Sequence, residues 1–430
     1  MHPTNAAPFS EPATAREPAG MTKPPARPGI TYDASFWFAC LAHAALMTSM
    51  GVLFRYADFI AYLVGQDGHV EGHLGWIVGV GMVGALVMRG FQGFAIDRYG
   101  PRVVWLSSLT LLVAGLLAHM TIERVDTPPI YILRILLMTG TAGAFGAAIT
   151  FTSLRSPAGR MPEMIGVMGS SGFLGWILGP VLGDLLLAGS PPNEQQVTRL
   201  FLMAVTAAAA AFLFAAAATR KSVCPALQTR PSLAALLRTY HPGVILLVGI
   251  AMGFGVGLPH TFLRAYTAHL GVDQIKTFFV VYSVTAFAVR ITTRRFPEII
   301  GIRAMNVLGL AALAASMLLY LPVRNEWMLA LPAVAAGSGH GLLFPAVVGG
   351  GSSVFPRQFR GTGTILMLAM FDVGGLIGQP TAGSLVETAR MWSLPPYPTM
   401  FIAVAAAMCL TAAVYALATR KGTNRATAGR

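Results

Sequence analysis

The stretch RGFQGFAIDRYGPR, residues 89–102, sets three arginines and an aspartate in one short turn between two long apolar runs. Charge is scarce elsewhere: of 430 residues, 55% are hydrophobic and 11% charged, and the mean hydropathy is +0.64. So little polar surface cannot cover a soluble globule of this size, and the chain reads as a membrane protein. A crossing needs roughly 20 apolar residues. Twelve such runs lie near 35–63, 74–96, 103–122, 129–153, 163–188, 198–219, 243–270, 275–293, 303–322, 327–349, 362–386 and 399–419. Period-2 alternation is absent, which disfavours a β-barrel and leaves helices to carry the spans. The charged stretch is then the turn between the second and third spans.

A net charge of +13 suggests nucleic acid, but the placement of the charges points elsewhere. If the N-terminus is cytoplasmic, most arginines and lysines fall on the inner side, and the outer loops hold only Arg124, Arg199, Lys276, Arg324 and Arg390. This is the positive-inside pattern. The expectation is a multi-pass protein of the plasma (inner) membrane with both termini cytoplasmic, a bilayer partner and no nucleic acid. Cys40, Cys224 and Cys409 are too scattered for a disulfide frame or a metal set, and no cofactor is expected. Residues 1–30, rich in Pro and Ala, lack the apolar core of a signal peptide and read as a disordered cytoplasmic tail.

The opening pattern returns as RITTRRFPEIIGIR, residues 290–303. Arg89, Asp97, Gly100 and Arg102 align with Arg290, Glu298, Gly301 and Arg303 at one offset, 290 − 89 = 201. Both copies follow the second span of a six-span set. The chain therefore reads as two parallel six-helix repeats, 31–219 and 243–419, with a central cytoplasmic loop at 220–242 and a tail at 420–430. A second echo supports the repeat. Gly166, Gly175, Gly179, Pro180 and Gly183 of the fifth span answer to Gly374, Gly378, Pro380 and Gly383 of the eleventh. Glycines on one face let a neighbouring backbone approach, and the proline kinks the helix, so each half carries a close-packed, bendable hinge helix.

At these residues the sequence resembles the major facilitator superfamily. Gly93, Asp97, Arg98, Gly100 and Arg102 match the family's loop motif between its second and third helices, with Pro101 in place of a basic residue. The glycines and Pro180 match its fifth-helix motif, with Asp184 in place of the last glycine. The resemblance implies an all-α membrane protein of twelve transmembrane helices in two pseudo-symmetric six-helix bundles. It also implies transport by alternating access through a cavity lined by helices one, four, seven and ten, and the fifth-helix motif is associated with antiporters. Asp97 is expected at the start of the eleventh helix and Glu298 at the start of the fifth, each beside a positive helix end. Together with the arginines they form either a cytoplasmic gate latch or a charge cluster that only sets topology.

Charges inside spans cost roughly 2.5–3.5 kcal/mol each on insertion scales, so each needs a reason. Arg55 and Asp58 lie one turn apart in the first span, Arg134 lies in the fourth, and Asp58 and Arg134 are placed to meet. Asp58 either carries a coupled proton or forms a permanent ion pair. Arg264 of the seventh span either faces the cavity with Arg55, where two guanidinium forks suit a carboxylate or phosphate, or snorkels to the headgroups. His260 and His340 relay protons, bind substrate or merely pack. Asp372, in mid-span, is a second proton site or a partner for Arg89. Trp37, Trp76, Trp105 and Trp327 read as interfacial anchors, Trp176 as a possible substrate contact, and SLAALLRTY of the central loop as an amphipathic helix on the membrane face.

No catalytic pattern such as HExxH, GxSxG or a P-loop is present, so no enzyme activity is expected. The leading expectation is a proton-coupled secondary transporter of a small organic anion, acting as a monomer. The alternative is a drug/proton antiporter exporting hydrophobic or cationic compounds.

Overall fold

The computed structural model describes residues 32–65, 69–156, 161–187, 192–220, 233–356 and 359–427. The N-terminal tail, Cys224 and the first part of the central loop lie outside them. The described residues are helical, with no strand among them. The first span is α1 (Ala34–Val52) and α2 (Tyr56–Val64), joined by a 3-10 turn, Leu53–Arg55. Then come α3 (Val70–His119), α4 (Pro128–Arg155), α5 (Met161–Leu186) and α6 (Glu194–Ala218). After α7 (Leu233–Thr239) follow α8 (Ile245–His269), α9 (Lys276–Thr292), α10 (Phe296–Ile299) and α11 (Gly301–Leu319). The chain ends with α12 (Ala330–Ser353), α13 (Arg360–Met391) and α14 (Pro396–Thr427). Helix starts follow local chemistry. The Asp33 carboxylate accepts from the Phe36 amide at 2.9 Å, Pro128 and Pro129 open α4, and Asn193 with Gln196 forms a capping box on α6.

Ten of these helices are long and apolar enough to cross a membrane. One of them, α3, makes two crossings in its 50 residues. Its second and third runs are not separated by a loop; the break is Gly100 alone, at φ 81° and ψ 159°. The packing fixes the reversal. Before the break, Gly81 and Gly84 lie against Arg134 and Ile135 and Gly146 against Gln92, so α3 and α4 run parallel. After it, Gly140 lies on Ser108 and Leu112 and Gly115 on Leu137, so they run antiparallel. Counting α3 as two and adding the shorter, 17-residue α9 gives twelve candidate spans among the described residues.

The helix surfaces are oily: Leu185, Leu213, Leu410 and Leu417 are each at least 64% exposed. Such a surface is stable only in lipid. Trp37, Trp76 and Trp327 are likewise exposed, but Trp105 is buried, 5.8 Å from the Phe151 ring, and is a core residue rather than an anchor. SLAALLRTY does form a helix, α7, yet Leu236 is buried against Phe355 and Leu366, so α7 is tied to the ends of α12 and α13.

Glycine ladders build the close pairs. A Cβ on Gly175 would strike the Ala44 carbonyl and Met47, and one on Gly179 the backbone of Gly51, so α5 lies directly on α1. Gly374 and Gly378 hold α13 against Ile250 and Phe254 of α8 in the same way. Gly383 instead faces Glu71 and Gly72 of α3, at the seam between the halves. Gly166 has open space around it. The face of the bundle where α1 begins and α14 ends is called the terminal face below, and the opposite one the far face.

Candidate functional site

The far face is closed by buried ion pairs between the halves. Arg55, on the turn before α2, donates from Nε to Asp58 at 2.5 Å and from Nη1 to Asp184 of α5 at 2.8 Å. It also donates to the carbonyls of Asp273 and Leu187. Arg264 of α8 reaches across and donates from Nε to both oxygens of Asp58, at 2.8 and 3.1 Å, and from Nη1 to the Val272 carbonyl. The other oxygen of Asp184 accepts from the amides of Ile275 and Lys276, so a carboxylate of the first half caps α9 of the second. All four charged side chains are at most 6% exposed. Beside them Glu71 of α3 accepts from both Nη atoms of Arg390, at 2.6 and 2.8 Å, and from the Tyr397 hydroxyl at 2.5 Å.

Two expectations change here. Asp58 meets Arg264 and not Arg134, because α8 packs against α2 and the turn before it and brings its own guanidinium within reach. Arg55 and Arg264 face carboxylates and carbonyls of the chain itself, so in this state they are engaged with one another's partners rather than open to a substrate.

Deeper in the bundle the two seams carry matching arginines with different partners. On the α3–α13 seam Arg89 pairs with Asp372 through Nε, with Nη2 3.4 Å from the second oxygen. On the α5–α9 seam its repeat-mate Arg290 lies over the rings of Phe173 and Phe344, its Cζ 5.1 Å from each centroid. Phe173 stands where the eleventh span has Asp372: 372 − 173 = 199, the offset that also relates Gly175 to Gly374 and Gly179 to Gly378. The repeat has kept the arginine and replaced its counter-ion by a phenyl ring. The Arg290 Nε is buried without a hydrogen-bond partner among the described residues.

Around Arg290 five elements contribute one aromatic cluster. His340 of α12 lies 5.7 Å from Phe344, 6.0 Å from Phe173 and 5.8 Å from Trp176, and its Nδ1 is 2.7 Å from the Tyr282 hydroxyl. Trp176 in turn lies 5.0 Å from His260 of α8, which packs at 4.5 Å on Phe54. Arg134 sits apart, in the first half. Its Cζ is 4.5 Å above the Tyr56 ring, over Gly81, with Nε and Nη1 unpartnered among the described residues. Among the described residues, no group of three or more His, Cys, Asp or Glu side chains is placed to hold a metal.

The Major Facilitator Superfamily profile matches residues 35–378. The chain belongs to that superfamily. Solved superfamily-type transporters share the fold: a POT family peptide transporter (TM-score 0.73, 11% identity, 90% of this chain and 97% of that one), the nucleoside transporter NupG (0.68, 13%, 90% and 99%) and a D-xylose-proton symporter (0.65, 14%, 87% and 96%). At such identities the likeness is one of fold. The protein is a multi-pass superfamily transporter, and which solute it carries must be read from its own side chains.

The superfamily loop motif divides into parts with separate duties. Gly100 and its repeat-mate Gly301, at φ 81° and 80°, take the left-handed conformation that a side chain resists, and each starts the next helix. Arg102 donates to the Ala216 carbonyl and to Thr219 at the end of α6, and Arg303 donates to the Ala416 carbonyl of α14. Both tie the loop to a helix of their own half, and Arg102 places its cation on the carboxyl-terminal end of α6. Arg98 lies 5.6 Å from the Tyr99 ring, Gly93 and Asp97 are half-buried, and Glu298 is exposed on α10. Sequence reasoning grouped Arg290 with the gate motif and left out Phe173, since a phenylalanine in an apolar helix carries no signal until it is aligned with Asp372.

Proposed function

We propose that this protein is a proton-coupled secondary transporter of a small organic anion, and that Arg290 holds the anion's carboxylate. The observation that carries this reading is the broken repeat: Arg89 has its counter-ion in Asp372, and Arg290 has Phe173 and Phe344 instead. A guanidinium stacked on rings is stabilised as a cation while its in-plane N–H groups stay free for a forked bond to a carboxylate. The lining of Trp176, Phe173 and Phe344 favours an anion with an apolar or aromatic body. The far face is sealed in this state, and breaking the Asp58–Arg264 contacts exposes the site to that side. Proton coupling is supported by the likeness to the D-xylose-proton symporter. Export of hydrophobic cations is the weaker reading, because Asp58 and Asp372 are both already paired with arginines.

The test is transport into reconstituted vesicles with benzoate, pyruvate, inorganic phosphate, xylose and tetraphenylphosphonium, with internal pH recorded. Carboxylate uptake accompanied by acidification, and lost in Arg290→Gln, is the expected result. Transport of tetraphenylphosphonium alone, unaffected by Arg290→Gln, would overturn the proposal.

A further inference from the structure

His260 and its hydrogen bonds carry one step more, which rests on the anion reading above. Its Nδ1 lies 2.6 Å from the Val256 carbonyl, one turn back on α8. A carbonyl can only accept, so Nδ1 bears the hydrogen, and in the neutral ring Nε2 is a bare lone pair. That nitrogen is buried and has no partner among the described residues. It is enclosed by Phe54, Trp176 and Phe279, at ring distances of 4.5, 5.0 and 5.4 Å.

The buried carboxylates that could compete for the proton are all engaged: Asp58 with Arg55 and Arg264, Asp184 with Arg55 and two amides, Asp372 with Arg89, and Glu71 with Arg390. The titratable and charged groups near His260 are few. Tyr282 of α9 is 5.8 Å away, His340 of α12 shares Tyr282 and Trp176 with it, and Arg290 lies beyond His340. The 3-10 turn and α5 present uncharged rings, and α13 presents the neutral Gln379 against Gly257. On α8 itself Arg264 is one turn farther toward the far face, held by Asp58.

We propose that His260 carries the coupled proton on Nε2, within the aromatic cluster that receives the anion on Arg290. The proton bond is made and broken at Nε2 while Nδ1–H keeps its bond to Val256. The new cation lies among the rings of Trp176 and Phe54, at 5.0 and 4.5 Å, and its charge is offset within the cluster by the carboxylate of the bound anion. The charge balance follows. The empty site holds Arg290 as one cation; the loaded site holds Arg290, protonated His260 and one carboxylate, again a net single positive charge. The loaded and empty forms therefore cross the membrane field alike, and transport of a monocarboxylate is electroneutral. Because α8 runs from His260 to Arg264 in one turn, parting Arg264 from Asp58 is the motion that uncovers Nε2 to the far side.

Two measurements on full-length protein in vesicles test this. The first needs no substrate: an imidazolium against an indole quenches its fluorescence, so acidification should quench Trp176 in the parent. The quench should vanish in His260→Gln and in Trp176→Phe. An unchanged pH titration in His260→Gln overturns the proposal. The second uses radiolabelled benzoate. His260→Gln should lose at least tenfold of its accumulation under an inward proton gradient, and whatever exchange of labelled for unlabelled benzoate it retains should no longer depend on pH, whereas Arg290→Gln loses both exchange and accumulation. Proton-driven accumulation that survives in His260→Gln also overturns it. Absence of benzoate exchange in the parent counts against the anion reading and leaves the fluorescence result to judge His260.

Discussion

A guanidinium lying over a phenyl face keeps its forked N–H groups free, whereas one paired with a carboxylate has that fork taken even where another N–H, as at Arg89 Nη1, has no partner among the described residues. Arg290 and Arg89 are these two cases, set apart by Phe173 and Asp372 at equivalent places in the repeat. Restoring the carboxylate should close the site. Phe173→Asp is expected to pair with Arg290 and lower anion transport at least tenfold, while Phe173→Tyr, which keeps the ring, holds it within about threefold. Initial uptake rates with matched amounts of protein in the membrane decide it, and undiminished transport in Phe173→Asp would remove Arg290 from the site. At this scale the sequence was half legible. The Arg89–Asp372 partnership could be named in advance because two charges in spans must find each other. Arg290 could not be assigned, because its partner is defined by a charge that is missing.

At the scale of the helix, packing rests on where a side chain is impossible. A methyl group on Gly179 would fall on the backbone of Gly51, and α1 and α5 would have to separate. Gly179→Ala is expected to destabilise the protein by about 1–3 kcal/mol through overpacking. Gly166→Ala has nothing within 4 Å of the new carbon and should stabilise by up to about 1 kcal/mol through helix propensity. The two signs are read by thermal unfolding in detergent, and equal shifts would mean that the glycine face is not what sets the helix spacing. Spans and the fifth-helix glycine face were readable from hydropathy and from spacing along the chain. The loopless turn at Gly100 was not, because one residue's left-handed backbone reverses the helix without any change in composition. Trp105 misled for a similar reason: a position near a span end does not tell whether the side chain points to lipid or to Phe151.

Across the whole molecule, Asp58 is the point on which the far face closes, since it holds a guanidinium from each half. Asp58→Asn leaves Arg55 and Arg264 short of charge where water is excluded. Removing one partner of a buried pair costs about 3–5 kcal/mol, and that cost falls on the sealed state alone. The population should shift toward the far-face-open form. In a background without the native cysteines, a cysteine at Phe279 is expected to react at least fivefold faster with an impermeant thiol reagent applied from the far face when Asp58→Asn is present; an unchanged rate would show that the seal is held elsewhere. The seal was not legible in the sequence. Arg55 and Arg264 sit about two turns apart by the repeat offset, and only the packing of α8 on α2 brings both to one carboxylate.

The unequal seams also make the first half a latent binding site. Deleting the Asp372 side chain as Asp372→Gly would leave Arg89 with room for a carboxylate and none attached, so a solute could take the place of the lost residue. Formate or acetate in the medium should then raise the unfolding temperature of that variant and leave the parent untouched, the benefit following a saturable binding curve. Transport would read, in these terms, as chemical rescue repeated at every turnover: the cargo is the acidic side chain that one copy of the duplicated half no longer encodes.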